Sequence, residues 1–283
     1  MIDHDSYQTI IFSHIPKTAG MTMCGTLEAL YPPHLRHSVD ASQTDHDEHV
    51  RRFKSTPPEQ HAHLRLIVGH HTYGFHKYLP SNATYFTIVR DPIDRLVSSY
   101  YQLVSVIPHL PERVAFYENP PTLEEFVEQG DLYYKCDSLV KLFIEHPNRA
   151  EPVTEALFRE ALRALHEDYS LVGLMGQFDE TVVLANQLYG WTINHYLKRN
   201  ISSNYSRDKV PEGLRETYAE RNRWDMQFFE ETRNLFNERR ASYRGDFDSA
   251  LQLFRSSNAK KNRAVQRKQR VKRTLKKILG KFR

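Results

Sequence analysis

Three short stretches carry side chains suited to anion and proton chemistry. In residues 14–22, His-Ile-Pro-Lys-Thr-Ala-Gly-Met-Thr, Lys17 stands between an apolar, β-branched run and a helical pattern. A lysine in such a turn reaches phosphate oxygens, and the first N–H groups of the following helix, which lack intrahelical acceptors, face the same anion. Thr18 and Thr22 add hydroxyls, Ala19 and Met21 add backbone amides, and Gly20 permits close backbone approach. An exposed helix dipole is worth only about 0.3–1 kcal/mol, so the lysine and amides together must supply most of the grip. The arrangement is not the G-x-x-x-x-G-K-[ST] loop of nucleotide triphosphatases: the first glycine is missing and the lysine precedes Gly20.

The second stretch, residues 89–101, sets Arg90 at the end of an apolar run and Ser98 eight residues later on a helical pattern. A guanidinium fork with a hydroxyl suits a phosphate monoester. The spacing equally allows Arg90 to pair with Asp91 or Asp94 and hold the turn. The third stretch ends an apolar run at Gly69-His70-His71. An imidazole titrates near neutrality and can take a hydroxyl proton. Adjacent strand residues point to opposite faces, so one of His70 and His71 would look into a cleft.

Apolar runs at 9–14, 64–68, 84–89 and 170–174 read as buried strands. Helical patterns are expected after the first strand, with Met23, Leu27 and Leu30 on one face, and from Pro92 onward. Further helices are expected at 123–129, 138–145, 154–166, 180–189 and 211–237. The stretch 34–63 reads as a polar, His-rich connection that could hold a helix in its middle. Strands alternating with helices indicate an α/β fold with a mainly parallel sheet covered on both faces. Ligands of such sheets sit beyond the carboxyl ends of the strands, which is where Lys17, His70 and Arg90 fall.

Composition narrows the class further. The 283 residues are 40% hydrophobic, enough for a full core. Two cysteines are too few for a disulfide framework and match no metal spacing, so free thiols and no metal are expected. His61, His63, His70, His71 and His76 lack the H-E-x-x-H arrangement of a zinc site. The start carries no signal-peptide pattern, and no window suits a bilayer span, which favours a cytoplasmic setting.

The net charge of +4 conceals an asymmetry. Residues 255–283 hold 13 Lys or Arg and no Asp or Glu, leaving 26 basic against 35 acidic residues, net −9, for residues 1–254. The division expected is therefore a domain over 1–254 and a basic amphipathic or disordered tail over 255–283. Val271, Leu275, Ile278, Leu279 and Phe282 recur in the tail at helical spacing, as on a helix lying against an anionic membrane surface at the inner face. A solvated tail stays open as an alternative, and nucleic-acid binding is the weakest of the three.

Residues 16–22 and the Arg90-Asp-Pro-x-x-Arg-x-x-Ser98 pattern together resemble the two segments that identify sulfotransferases using 3′-phosphoadenosine 5′-phosphosulfate (PAPS). The likeness is to the family containing the heparan sulfate 2-O- and 6-O-sulfotransferases and their bacterial relatives. Residues 68–76, 171–180 and 188–191 extend it, so that it spans about 9–239. It implies a P-loop-like three-layer sandwich, with a loop from Lys17 to Thr22 binding the 5′-phosphosulfate and Arg90 with Ser98 binding the 3′-phosphate. It further implies Lys17 on the leaving phosphate, His70 rather than His71 as general base, no metal, and a glycan or other hydroxylated acceptor. Met21 departs from the family, which commonly has a small Thr or Ser there, and the membrane anchor of the animal enzymes is missing, which points to a cytosolic, bacterial enzyme. Residues 200–207 fall where the family has a loop near the nucleotide, and a plain turn-rich connection fits them as well. Other classes remaining are a nucleotide-dependent kinase and a non-catalytic nucleotide-binding protein held at membranes by the tail.

Overall fold

The computed structural model describes residues 9–39, 46–71, 73–106, 121–129, 136–145, 151–198 and 210–279. Five strands, β1 (Thr9–Ser13), β2 (Arg36–Val39), β3 (Leu66–Gly69), β4 (Ala83–Val89) and β5 (Tyr169–Leu174), form one sheet in the order β2-β3-β1-β4-β5. Every pairing is parallel. β1, β3 and β5 are buried along their whole length, the pattern of strands covered on both faces. β2 was not expected. It is a polar edge strand, Arg-His-Ser-Val, and nothing in an apolar-run search marks it.

Helices flank the sheet: α1 (Gly20–Leu30), α2 (His46–Ser55), α3 (Pro92–Val106), α4 (Leu123–Gln129), α5 (Ser138–Lys141), α6 (Glu155–Glu167), α7 (Phe178–Tyr189), α8 (Glu212–Arg221), α9 (Arg223–Ala241) and α10 (Phe247–Leu279). The architecture is the α/β sandwich with a central parallel sheet that the alternation of patterns implied. α1 buries Met23, Cys24 and Leu27, whereas Leu30, which spacing placed on the same face, is exposed.

The helix expected over 211–237 is two helices. The break falls at Asn222, whose side chain accepts the N–H of Asp137 (2.8 Å) and donates to the Tyr218 carbonyl (2.9 Å). Asp137 accepts the N–H groups of Trp224 and Asp225, both at 3.0 Å, and so caps α9. Asp225, fully buried, returns the arrangement by accepting the N–H groups of Leu139 (2.8 Å) and Val140 (2.9 Å) at the start of α5. Arg95 of α3 lies 3.7 Å from the same carboxylate and donates to Ser138. Two helix starts thus cap each other, and α3 is tied to both.

α10 runs unbroken through residues 254 and 255, where the composition turns basic. Phe247, Leu251, Phe254 and Asn258 are buried, spaced by four, three and four residues, so the first turns of the helix pack on the body, chiefly against α7. Among the described residues no helix is long and apolar enough to cross a membrane.

Candidate active site

β1 lies at the switch point of the sheet: the chain builds β2 and β3 on one side of it and then crosses to β4 and β5 on the other. A cavity of about 640 Å³ opens at the carboxyl ends of the strands, a size usual for a small-molecule site. Lys17, Ala19, Gly20, Met21 and Thr22 line it from the turn after β1. His70 lines it from the end of β3, and Arg90 and Ser98 from β4 and α3. The two stretches read as phosphate-binding therefore share one cavity, with the histidine strand end beside them.

The turn is built by strain and by side chains. Lys17 (φ 70°) and Ala19 (φ 65°) both adopt left-handed backbone conformations, each costing about 1–2 kcal/mol outside glycine. Such outliers persist where surrounding contacts over-determine them, commonly at functional sites. One of those contacts is Arg90, whose Nη1 donates to the Lys17 carbonyl across 3.3 Å and so ties the second stretch to the first. Asp91 accepts the N–H of Asp94 (3.0 Å) and thereby caps α3. Thr18 departs from the expectation: its hydroxyl donates to the Ile15 carbonyl at 2.8 Å, and it is buried beneath the cavity instead of lining it.

Gly20 is required for a reason different from the one expected. A Cβ there would lie 1.8 Å from Cδ2 of His14, so the body in close approach is the His14 ring. That ring also lines the cavity and stacks on His70. At the end of β3, Gly69 (φ 137°) brings its Cα within reach of the Val39 carbonyl, where a Cβ would sit 1.9 Å from the oxygen. The His70 N–H then donates to that carbonyl at 2.9 Å. His71 turns the other way: it is buried, with its ring 4.7 Å from that of Phe75 in the core. Of the two histidines, His70 faces the cavity.

The cavity calls for an anion. Burial, and then the neighbouring charge of Arg90, push the Lys17 amine below its ordinary value. The charge of a bound phosphate would offset both effects, so the side chains present suit a phosphorylated ligand. Among the described residues no cluster of three or more metal-ligating side chains occurs. The far wall is formed by Met175, Gly176, Gln177, Phe178 and Asp179, directly after β5, with Tyr196 from the segment after α7, and none of these is among the residues expected for the site. The strand-end position of residues 175–179 could have marked them by the same rule that found Arg90. Residues 200–207 lie outside the described residues.

A profile of the sulfotransferase family matches residues 1–236, and the chain belongs to that family. Human galactosylceramide sulfotransferase is 24% identical over 234 residues, which are 77% of this chain and 54% of that protein. Human galactose-3-O-sulfotransferase 3 is 24% identical over 219 residues, 70% of this chain and 48% of that one. The chain thus spans about half the length of the curated relatives it matches. These relatives are named for galactose and galactosylceramide, whereas the motifs pointed to the heparan sulfate branch. The crystal structure of mouse sulfotransferase SULT7A1 complexed with PAP overlaps with a TM-score of 0.41 at 16% identity, over 83% of this chain and 89% of that one.

Proposed function

We propose that the protein transfers a sulfuryl group from PAPS to a hydroxyl of a carbohydrate acceptor. The observation that carries this reading is the single cavity in which Lys17, Arg90, Ser98 and His70 meet at the strand ends. Lys17 and the amides of residues 19–22 would hold the 5′-phosphosulfate, and Arg90 with Ser98 the 3′-phosphate. The donor brings an activated sulfuryl group, and sulfuryl transfer resembles phosphoryl transfer in needing chiefly positioning and charge stabilisation. Lys17 then stabilises charge gathering on the departing phosphate oxygen, a role favoured by the partial desolvation of its amine. His70 takes the proton from the acceptor hydroxyl, and the His14 ring stacked on it fixes its plane.

For the acceptor, the names of the relatives support a galactose-containing glycan or glycolipid, and the motif likeness supports a heparan-type glycan. A cytoplasmic setting, with the basic part of α10 against an anionic membrane surface, belongs to the same reading and rests on the tail's composition. The test is incubation with radiolabelled PAPS and a panel of galactose-terminated and uronic-acid-containing glycans, followed by identification of the product. Label should appear as a sulfate ester on a sugar hydroxyl. Failure of any acceptor to take label, together with failure of the protein to bind 3′,5′-ADP, would end the proposal.

A further inference from the structure

We infer that Arg255, from the basic C-terminal helix, is a binding residue for the phosphorylated ribose end of the donor. The inference rests on the reading that the cavity takes PAPS, and it adds a residue beyond the stretch, 1–236, that the family profile covers.

Strand order gives the direction. Crossing the sheet from β3 to β1, β4 and β5, the cavity meets His70, then Lys17, then Arg90, and last Asp179 in the first turn of α7. Arg255 joins the wall at this last position, with Nε 3.3 Å from Asp179 and Nη2 3.9 Å from Glu180. It therefore stands on the flank remote from His70, past Arg90. If the acceptor enters beside His70, the part of the donor facing Arg255 is the end without the sulfuryl group.

The residue is aimed by its surroundings. Its neighbour Phe254 is buried, and one turn on, Asn258 accepts the Tyr196 N–H at 3.1 Å. The Tyr196 hydroxyl donates to Asp179 Oδ1 at 2.7 Å, while Arg255 faces Oδ2 of the same carboxylate. The side chain is nonetheless 55% exposed, so the guanidinium can meet a ligand. Charge points the same way. Asp179 on a cavity wall would repel a phosphate; Arg255 and Lys198, which also lines the wall, make that flank favourable to one.

Calorimetric titration with 3′,5′-ADP and with 5′-AMP separates the possibilities. Arg255→Ala should weaken 3′,5′-ADP by about tenfold, the scale of one charge-assisted hydrogen bond, and 5′-AMP by less than about threefold. Arg255→Lys should fall between, and a thermal melt of each variant confirms folding. Asp179→Asn removes the carboxylate but keeps an acceptor for Tyr196, so it should bind 3′,5′-ADP as well as the parent protein or better. If Asp179→Asn loses as much affinity as Arg255→Ala, Arg255 is a strut for α10 and the inference is wrong. It is equally wrong if Arg255→Ala stays within about twofold of the parent while Arg90→Ala weakens binding. Loss of nothing in Lys17→Ala and Arg90→Ala would instead remove the donor assignment itself.

Discussion

The imidazole rings of His14 and His70 stack with 4.0 Å between centroids and 29° between planes, joining the ends of the neighbouring strands β1 and β3. His14 is held from behind, because its Cδ2 and Nε2 lie where a Cβ on residue 20 would be. A side chain trapped between a glycine and a second imidazole is a means of fixing the second one. His70→Ala should therefore reduce kcat by at least about 100-fold, the usual contribution of a positioned base, with 3′,5′-ADP affinity unchanged. His14→Ala should lower kcat by a smaller factor, and His14→Phe, which can still stack, should recover most of it. Equal losses in the two His14 variants would argue that the ring acts through its nitrogens and not through the stack.

Gly20→Ala provides the complementary test. The new methyl must displace the His14 ring, which is already in contact with His70. Overpacking of this kind costs about 1–3 kcal/mol, so a lower melting temperature is expected together with a loss of turnover. A variant with parental stability and turnover would show that His14 moves freely and that the stack is dispensable.

Lys17→Ala and Arg90→Ala should both weaken 3′,5′-ADP, by about ten- to a hundredfold, the range for charged hydrogen bonds. They should differ in a second respect. Arg90 also braces the strained turn through the Lys17 carbonyl at 3.3 Å, so Arg90→Ala should make the turn more susceptible to proteolysis, whereas Lys17→Ala should not. Limited digestion of the two variants, with and without nucleotide, reads the difference.

Much of this site could be read from sequence because its chemistry sits at ends of apolar runs. Strand ends are set by hydrophobic pattern, and Lys17, His70 and Arg90 follow directly from three such runs. The inward role of Thr18 was hidden because hydroxyl direction depends on the left-handed backbone on either side of it. Gly20 reads as a close-approach position, but the approaching group is 6 residues earlier in the chain and no periodicity reports it. β2 leaves no mark in the hydrophobic pattern because an edge strand need not be apolar, and the Asn222 break leaves none because its cause, Asp137, is 85 positions away. Composition groups Arg255 with the tail, although Phe254 and Asn258 on either side of it are buried. Charge runs describe the solvent face of a helix and say little about the face that docks.

The mutual caps at α5 and α9 imply a pH effect on stability. Burial raises the Asp225 carboxyl to about 6, against the opposing pull of Arg95. The folded state then holds this proton more tightly than the unfolded state, whose carboxyl titrates near 4. Between roughly pH 6 and pH 4 the group therefore favours folding more as pH falls, and above about pH 6 that contribution is gone. Asp225→Asn should be less stable at neutral pH, since Leu139 and Val140 donate to different carboxylate oxygens and an amide replaces one of these with an NH2 group that cannot accept. Its deficit relative to the parent should widen on acidification, by on the order of 2 kcal/mol across the window. A deficit independent of pH would place the proton elsewhere.

The basic part of α10 should bind anionic membranes. The helix continues to Leu279, well past the docked turns that end near Asn258, and carries Val271, Leu275, Ile278 and Leu279 at helical spacing; Phe282 lies outside the described residues. With no acidic residue after Phe254, attraction to a negative surface is unopposed within this segment. Co-sedimentation with vesicles rich in phosphatidylserine should exceed that with phosphatidylcholine and should fall as salt rises above about 0.15 M, where charges are screened beyond about 8 Å. Leu275→Glu with Ile278→Glu should abolish it by placing charge on the apolar stripe, while 3′,5′-ADP affinity should be retained, because every residue proposed to bind the nucleotide lies at Arg255 or upstream. No sedimentation with either lipid would leave the segment as a solvated extension of the helix, and equal sedimentation with both would show that charge does not drive the binding.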